Sequence, residues 1–326
     1  MPAATLTSAV DAPAVGAPPI VAPPIVALVG ATATGKSALA LELAQACGGE
    51  IVNADAMQLY RGLDIGTAKL PLSERRGIPH HQLDVLEPSQ EASVARYQRA
   101  AREDLDAIAA RGRLPILVGG SGLYVRAALD ALDIPPTDPD VRARWEAYAA
   151  EHGSDAAHAT LAQIDPVAAQ HILPTNTRRV VRALEVNELT GEPFRAALSG
   201  RVYRVPTLTI ALRIDRASLD HRIATRTAAM WRAGLVAEVA ALIPLGLREG
   251  RTARAAIGYQ QALRQLDGDL SQEAAIEDTT RATRRYVRRQ ESWLRPDARV
   301  HWLDAEQPNL RERALALLAG AGVPSA

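Results

Sequence analysis

The residues best suited to chemistry lie in the segment GATATGKS, residues 30–37. Glycines there let backbone N–H groups turn toward an anion, while Lys36 adds an ammonium group and the Ser37 hydroxyl can join a Mg²⁺ shell. A strand-like run precedes the segment and a helix-like run follows it, which disfavours a chance glycine turn. We therefore predict a polyphosphate-binding loop, with Ser37 as the metal-binding residue, formed by Gly30, Ala31, Thr32, Ala33, Thr34, Gly35, Lys36 and Ser37.

Two further residues could act beside this loop. Asp55 closes the apolar segment EIVNAD and would lie at the carboxyl edge of a parallel sheet, where open α/β folds bind ligands. The spacing allows a general base or metal ligand there, and equally a carboxylate that caps a helix or turn. Lys69 and Lys36 are the only lysines beside 35 arginines. Lys69 is the last residue of GLDIGTAK, residues 62–69. It could contact a phosphate or lie solvated on the surface, and the sequence does not decide between these.

Alternating strands and helices must position these groups. Short apolar runs at residues 25–30, 50–55 and 114–120 read as buried strands, with helical patterns at 37–49 and 94–113 between them. This alternation indicates an α/β fold: a P-loop NTPase-like parallel sheet flanked by helices. Further strands are expected at 202–214 and 300–303. The strand at 114–120 ends without an acid, which argues against a motor or switch NTPase that needs a second metal-binding carboxylate.

Composition suggests four regions. Residues 1–24 contain six prolines and no basic residue, which predicts a disordered Ala/Pro-rich tail and not a secretory signal. Residues 25–136 form the first part of the core, and 137–200, with helical periodicity and no strand, an all-helical insertion domain. Residues 201–326 form the second, mostly helical part. No run approaches the ~20 apolar residues of a membrane span. The single cysteine, Cys47, fits a cytoplasmic protein.

The formal net charge of zero hides an uneven distribution. Residues 1–175 carry 13 basic and 20 acidic side chains, a net charge of −7, whereas residues 176–326 carry 24 and 17, a net charge of +7. Two arginine clusters lie in the second half: RRVVR at 178–182, and five arginines at 281–289 spaced three and four apart. They suit a phosphate backbone, or they are solvated faces in an arginine-rich chain. His80 and His81 have no companion ligands that would make a metal site, and structural roles are favoured.

An ordered series of motifs gives a family resemblance. Besides GATATGKS and GLDIGTAK, the series includes IPHHQLDVLEPSQEAS, LVGGSGLY, DPDVRAR, DPVAA, RRVVRALEV, AIGYQQ and TRRYVRRQESWLR, across about residues 25–305. The chain resembles the bacterial tRNA dimethylallyltransferases, also called tRNA isopentenyltransferases. It departs from their usual pattern at Ala31, Ala56, Met57, Ser121 and Thr177, without losing a presumed catalytic group.

The resemblance implies transfer of a dimethylallyl group from dimethylallyl diphosphate to the exocyclic N6 amine of the adenosine immediately 3′ of the anticodon, with release of diphosphate and use of Mg²⁺. The phosphate loop would grip the prenyl donor, and the partners would be this donor and the anticodon stem-loop of tRNA. Asp55 would be the base, while Lys36 and Arg226 would stabilise the leaving group; Arg222, on the same helix face, is the less favoured alternative. We expect a monomer.

The resemblance and the two arginine clusters together give the predicted tRNA contacts. They are Asp55, Ala56, Met57, Gln58, Ser121, Arg142, Arg178, Arg179, Val180, Val181, Arg182, Arg281, Arg285 and Arg288. Two other functions stay open on the residues alone. A P-loop kinase that phosphorylates a small metabolite would account for Lys36, Ser37 and Asp55 but not for the arginine clusters. A non-catalytic RNA-binding protein would account for the arginines but not for an intact phosphate loop.

Overall fold

One parallel sheet organises the chain in the computed structural model, which describes residues 24–194 and 200–323. Its six strands are β1 (Ile25–Gly30), β2 (Gly49–Asn53), β3 (His80–His81), β4 (Leu114–Gly119), β5 (Thr207–Arg213) and β6 (Val300–Asp304). They lie in the order β3-β2-β4-β1-β5-β6, and every pair is parallel. The predicted parallel α/β class is therefore confirmed.

Helices cover both faces because successive strand residues point to opposite sides. On one face, Val26 and Leu28 of β1 pack against α1 (Lys36–Cys47) and α12 (Leu310–Gly320). On the other, Ala27 and Val29 join the core formed by most of the remaining helices. These are α2 (Val94–Ala110), α3 (Gly122–Leu129), α8 (Arg216–Arg232), α9 (Leu235–Leu242), α10 (Tyr259–Leu266) and α11 (Gln272–Leu294).

Among the described residues, four helices lie between α3 and β5. They are α4 (Pro139–His152), α5 (Ser154–Ile164), α6 (Pro166–His171) and α7 (Thr177–Thr190), and they share a separate apolar cluster that includes Leu161 and Leu184. Two Asp-Pro pairs start helices here. The Asp138 carboxylate accepts from the Asp140 and Val141 amides and that of Asp165 from the Ala168 amide, with proline at the first helical position. The DPDVRAR and DPVAA motifs thus begin α4 and α6.

Several element boundaries differ from the sequence-based expectation. β5 begins at Thr207 and not near Val202, since Pro206 has no N–H to give to a strand ladder. Gly49 opens β2, and Gly48 alone closes α1 at φ 63°. The two-residue β3 is too short to show any periodicity. Of the predicted tail, residues 1–23 lie outside the described residues. Within the described ranges, no single helix is long and apolar enough to cross a membrane.

Candidate functional site

The phosphate loop joins β1 to α1 through a sharply turned backbone. Gly30, Ala33 and Gly35 have φ values of 141°, 64° and 90°. A Cβ on Gly30 would lie 2.8 Å from the Leu212 carbonyl oxygen, so this position requires glycine. The Thr34 hydroxyl donates to the Ala31 carbonyl over 2.9 Å, which closes the turn. The loop therefore delivers its amides and the N-terminus of a 12-residue helix to one anion-sized region.

Lys36 turns its ammonium group back over this loop. Its Nζ donates to the Ala31 carbonyl at 2.5 Å. Burial lowers the pKa of Lys36 to about 8, the Asp55 carboxylate opposes that shift, and the Arg226 guanidinium adds to it. The three groups are thus close enough to influence one another electrostatically.

Arg226 reaches the phosphate loop from the middle of α8. Its Nη1 donates to the Thr32 hydroxyl at 3.1 Å and its Nη2 to the Thr67 carbonyl at 3.3 Å. Burial lowers the pKa of Arg226, and the Asp55 carboxylate opposes this. Arg222, one turn earlier, pairs with Glu306 at 3.2 Å, and its side chain is partly exposed. Geometry therefore places Arg226, and not Arg222, at the loop.

Asp55 stands just beyond the end of β2, where its carboxylate shapes a turn. The Asp55 amide donates to Asn53 Oδ1 at 2.8 Å, and Asp55 Oδ1 accepts from the Met57 amide at 2.9 Å. The capping role that the sequence allowed is therefore present. No other hydrogen bond to this carboxylate is formed by residues 24–194 or 200–323, which leaves Oδ2 available to an incoming amine.

The ends of β2 and β4 meet tightly beside Asp55. A Cβ on Gly119 would lie 2.4 Å from the Ala54 carbonyl group, which accounts for a glycine at this strand end. The next hydroxyl, that of Ser121, accepts from the Ala56 amide at 3.3 Å and lies 3.4 Å from the Tyr286 hydroxyl. Ser121, Ala56 and Asp55 therefore lie on one wall of the site.

Lys69 occupies neither of its two predicted environments. Its side chain is only 3% exposed, and its ammonium donates to the Tyr60 carbonyl and to carboxylate oxygens of Asp64 and Asp84 at 2.6 to 2.7 Å. These three acceptors use all three ammonium hydrogens. A phosphate contact and a solvated position are both wrong, because Lys69 anchors the segment 62–69 internally.

The anchored segment presents one carbonyl to the site. The Thr67 carbonyl accepts from Arg226 and also from Gln58 Nε2 at 3.1 Å. The segment is held from behind by Tyr259, which donates to Glu238 at 2.5 Å and accepts from the Gly66 amide at 3.2 Å. Tyr259 is fully buried and cannot stack on RNA.

The arginines of α11 divide into two groups. Arg281 pairs with Asp278 at 2.7 Å, and Arg284 donates to the Asp220 carbonyl at 3.3 Å. Arg285 and Arg288 are exposed and form no ion pair with any described residue. Arg281, Arg284 and Arg288 line an open groove of about 280 Å³ with Glu277 and Thr280. This groove is the basic surface of α11.

The second cluster needs a correction. Val180 and Val181 lie 0% and 3% exposed in the core of the four-helix segment, so their side chains cannot contact tRNA there. Arg178 and Arg179 are exposed on the same helix. Arg182 turns inward, as described next.

A buried carboxylate holds two of the predicted tRNA-binding arginines. Glu185 is fully buried and lies 2.9 Å from Arg142 and 2.7 Å from Arg182. It also accepts from the Thr137 hydroxyl and the Asp138 amide. Burial alone would raise the pKa of Glu185, but the hydrogen bonds from Thr137, Arg182 and Arg142 lower it. Arg142 also donates to the Thr137 hydroxyl and Arg182 to the Pro135 and Pro136 carbonyls, so both arginines help to tie the 135–138 linker to α7.

The sequence suggested no role for two residues, one that contacts Arg226 and one that contacts the phosphate loop. Thr67 acts through its backbone carbonyl, and because every residue has one, the residue type at this position does not predict the contact. Gln290 of α11 accepts from the Thr32 amide at 3.0 Å, although 258 positions separate the two residues. It lies within TRRYVRRQESWLR, where only arginines were predicted to have a function.

Fold and site together define a class: a P-loop α/β enzyme in which Lys36 and Arg226 flank an anion-binding loop and face a carboxylate. Within that class, the family model described as IPP transferase matches residues 58–297, and that described as Isopentenyl transferase matches residues 23–81. The chain belongs to the IPP transferase family. It is therefore a transferase, as the motif series predicted, and the kinase alternative is not supported.

Individual relatives agree with this assignment. The chain is 60% identical to a tRNA dimethylallyltransferase of Thermobifida fusca, across 89% of this chain and 93% of that protein. It is 59% identical to one of Nocardia farcinica, across 92% and 96%. Among solved structures it resembles the tRNA isopentenylpyrophosphate transferase of Bacillus halodurans, with a TM-score of 0.66, 38% identity and coverage of 92% and 98%. It also resembles a eukaryotic dimethylallyltransferase acting on tRNA, with a TM-score of 0.75, 27% identity and coverage of 93% and 81%.

Proposed function

We propose that this transferase moves the dimethylallyl group of dimethylallyl diphosphate to the exocyclic N6 amine of the adenosine immediately 3′ of the anticodon in tRNA. The observation that carries the proposal is the meeting of Lys36, Arg226 and Asp55 at the carboxyl edge of the sheet. Two cations there suit a diphosphate leaving group, and the facing carboxylate suits an amine that must lose a proton.

The donor end has to neutralise charge on the diphosphate. As the allylic carbon–oxygen bond breaks, the bonding electrons leave with the diphosphate, and Lys36, Arg226 and the loop amides stabilise that charge. Ser37 is exposed at the start of α1, and its hydroxyl has no hydrogen-bond partner in the described part of the chain. One such hydroxyl fits Mg²⁺ that is held mainly by substrate oxygens and water. Bound there, the ion would neutralise more of the diphosphate charge.

The acceptor end has to deliver and deprotonate an amine. The adenosine must leave the stacked anticodon loop to reach the site. Asp55 Oδ2 then accepts a hydrogen bond from the amine and takes its proton as the new carbon–nitrogen bond forms. Gln58 donates through Nε2 to Thr67, which leaves Oε1 to read a base edge. Ala56, Met57 and Ser121 complete that side of the pocket.

The tRNA backbone meets arginines on two surfaces. On α11 these are Arg281, Arg285 and Arg288, and on α7 they are Arg178 and Arg179. Arg142 and Arg182 would have to leave Glu185 in order to bind phosphate. We therefore assign them a structural role at the 135–138 linker before any role in tRNA binding. We place this monomer in the cytoplasm, because a single free thiol, Cys47, suits a reducing compartment.

The test incubates purified protein with labelled dimethylallyl diphosphate, unmodified tRNA and Mg²⁺ and measures label in the tRNA. Asp55→Asn is the informative variant, because its amide oxygen can still accept from the Met57 amide while the base is lost. We expect its kcat to fall by about 10²-fold or more, with an unchanged Tm. Wild-type protein that gives no label in tRNA but phosphorylates a small acceptor from ATP would contradict the proposal. Normal turnover in Asp55→Asn would remove the assignment of the base.

A further inference from the structure

A buried glutamine from α11 lies between the two halves of the site. Gln290 is 4% exposed. Its Oε1 accepts from the Thr32 amide at 3.0 Å, and its Nε2 donates to the Gly120 carbonyl at 3.0 Å. A buried amide side chain costs stability unless both its ends are paired, and here both ends pair with backbone groups of different loops.

There is little free space around this glutamine. A Cβ on Gly120 would lie 2.2 Å from Gln290 Nε2 and 2.8 Å from the Gly30 carbonyl oxygen. The end of β1, the residue after β4 and the Gln290 side chain are therefore in direct contact. Because the space admits no side chain at residue 120, the separation of the two loops depends on the length of the Gln290 amide.

Each loop that Gln290 holds carries one substrate's contacts. On the donor side, the Thr32 hydroxyl accepts from Arg226 at 3.1 Å, so the position of Thr32 sets that of the guanidinium. On the acceptor side, Gly120 precedes Ser121, whose hydroxyl accepts from the Ala56 amide. Ala56 is in turn the neighbour of Asp55. Gln290 thus bridges the residues that hold the leaving group and those that hold the adenine.

We propose that Gln290 is a positioning residue that aligns the prenyl donor with the acceptor amine. This inference rests on the proposed function. Gln290 touches neither substrate; it acts through Thr32 and Gly120. Loss of alignment between two bound reactants lowers mainly the rate of the bond-forming step, because each substrate keeps its own binding contacts. Loss of Gln290 should therefore lower kcat more than it weakens the binding of either substrate.

The experiment measures kcat, KM for dimethylallyl diphosphate, tRNA affinity and Tm for wild type, Gln290→Ala and Gln290→Glu. We expect Gln290→Ala to lower kcat by about 10- to 100-fold while KM and tRNA affinity change by less than about threefold. Gln290→Glu keeps the acceptor for the Thr32 amide but loses the donor to the Gly120 carbonyl. Its kcat should lie between that of wild type and that of Gln290→Ala. Its size is that of glutamine, so it stays decisive if Gln290→Ala does not fold.

Gln261 provides a matched control. It is also 4% exposed, its Oε1 accepts from the Gly258 amide at 2.9 Å, and its Nε2 donates to Asp278 of α11 at 2.9 Å. Gln261→Ala should lower Tm as much as Gln290→Ala and leave kcat within about twofold. Equal kcat values for the two alanine variants would overturn the inference. So would a rise in donor KM as large as the fall in kcat. An inactive wild-type protein would instead contradict the proposed function.

Discussion

Lys36 shows how a buried cation ties activity to pH. In the free protein its pKa is about 8, chiefly because burial penalises the ammonium group. A diphosphate binds the ammonium and not the amine, so proton loss must weaken donor binding. The loop therefore holds its ligand best below about pH 8, and the bound anion restores the proton by its own charge.

The first prediction concerns this titration. Affinity for inorganic diphosphate, measured by calorimetry from about pH 6.5 to about pH 9.5, should fall with a midpoint near the pKa of Lys36 and by about tenfold per unit well above it. In Lys36→Met the affinity should be lower throughout, and only the ligand's own titration should remain. An identical pH profile in the variant would show that Lys36 does not control binding.

The same shift acts in the opposite direction on stability. In the unfolded chain Lys36 has its ordinary pKa of 10.5, above the folded value of about 8. Between these values the unfolded chain binds more protons, so the free energy of unfolding rises with pH. The cost of burying the ammonium group is present below about pH 8 and is relieved above it. Lys36 therefore lowers stability in the protonation state that function requires.

The elements of the site differ in how far the sequence reveals them. The phosphate loop could be predicted because its eight residues are contiguous and lie between a strand and a helix. Arg226 emerged only from the family resemblance, since it contacts Thr32 across 194 positions. The environment predicted for Lys69 was wrong because its contacts with Asp64 and Asp84 form only when residues 60–84 fold. Gln290 and the Thr67 carbonyl gave no signal, as burial and backbone direction are tertiary properties.

The α7 helix supplies a second prediction through its buried carboxylate. Glu185→Gln should lower the free energy of unfolding by about 3 kcal/mol, because Arg142 and Arg182 lose the charge that compensates them. Limited proteolysis near residues 135–138 should become faster. Since the folded pKa of Glu185 is lowered, its contribution is present near neutral pH and is lost as the pH falls below its ordinary value of 4.5.

Glu188 on the same helix is the control for this change. Its carboxylate is 37% exposed and pairs with Arg144, which is itself 63% exposed. Exposed pairs contribute little, so Glu188→Gln should alter the free energy of unfolding by less than about 0.5 kcal/mol. If Glu185→Gln and Glu188→Gln lowered the free energy of unfolding equally, burial of Glu185 would add nothing to the stability that its ion pairs provide. Chemical denaturation monitored by circular dichroism gives both values.

On the scale of the whole molecule, the two halves of the chain carry opposite net charge. The half of the chain with net charge −7 contains the phosphate loop, which needs only a few local cations. The half with net charge +7 contains α11, on which Arg281, Arg285, Arg288 and Arg289 are exposed. A net charge of zero then leaves little long-range attraction for nucleic acid in general, so affinity should depend on where the arginines meet phosphate groups.

Reversing the charge of exposed acidic residues tests this balance. Glu74 and Glu103 are exposed in the first half, and changing both to lysine takes the formal net charge from zero to +4, two units for each residue. Affinity for an unrelated RNA should rise and become more dependent on salt, because non-specific binding follows the total field. Affinity for the substrate tRNA should rise less, and kcat should not change. Filter binding over a salt series measures both RNAs. Unchanged binding of the unrelated RNA would show that local arginine geometry alone, and not the overall charge, keeps this enzyme selective.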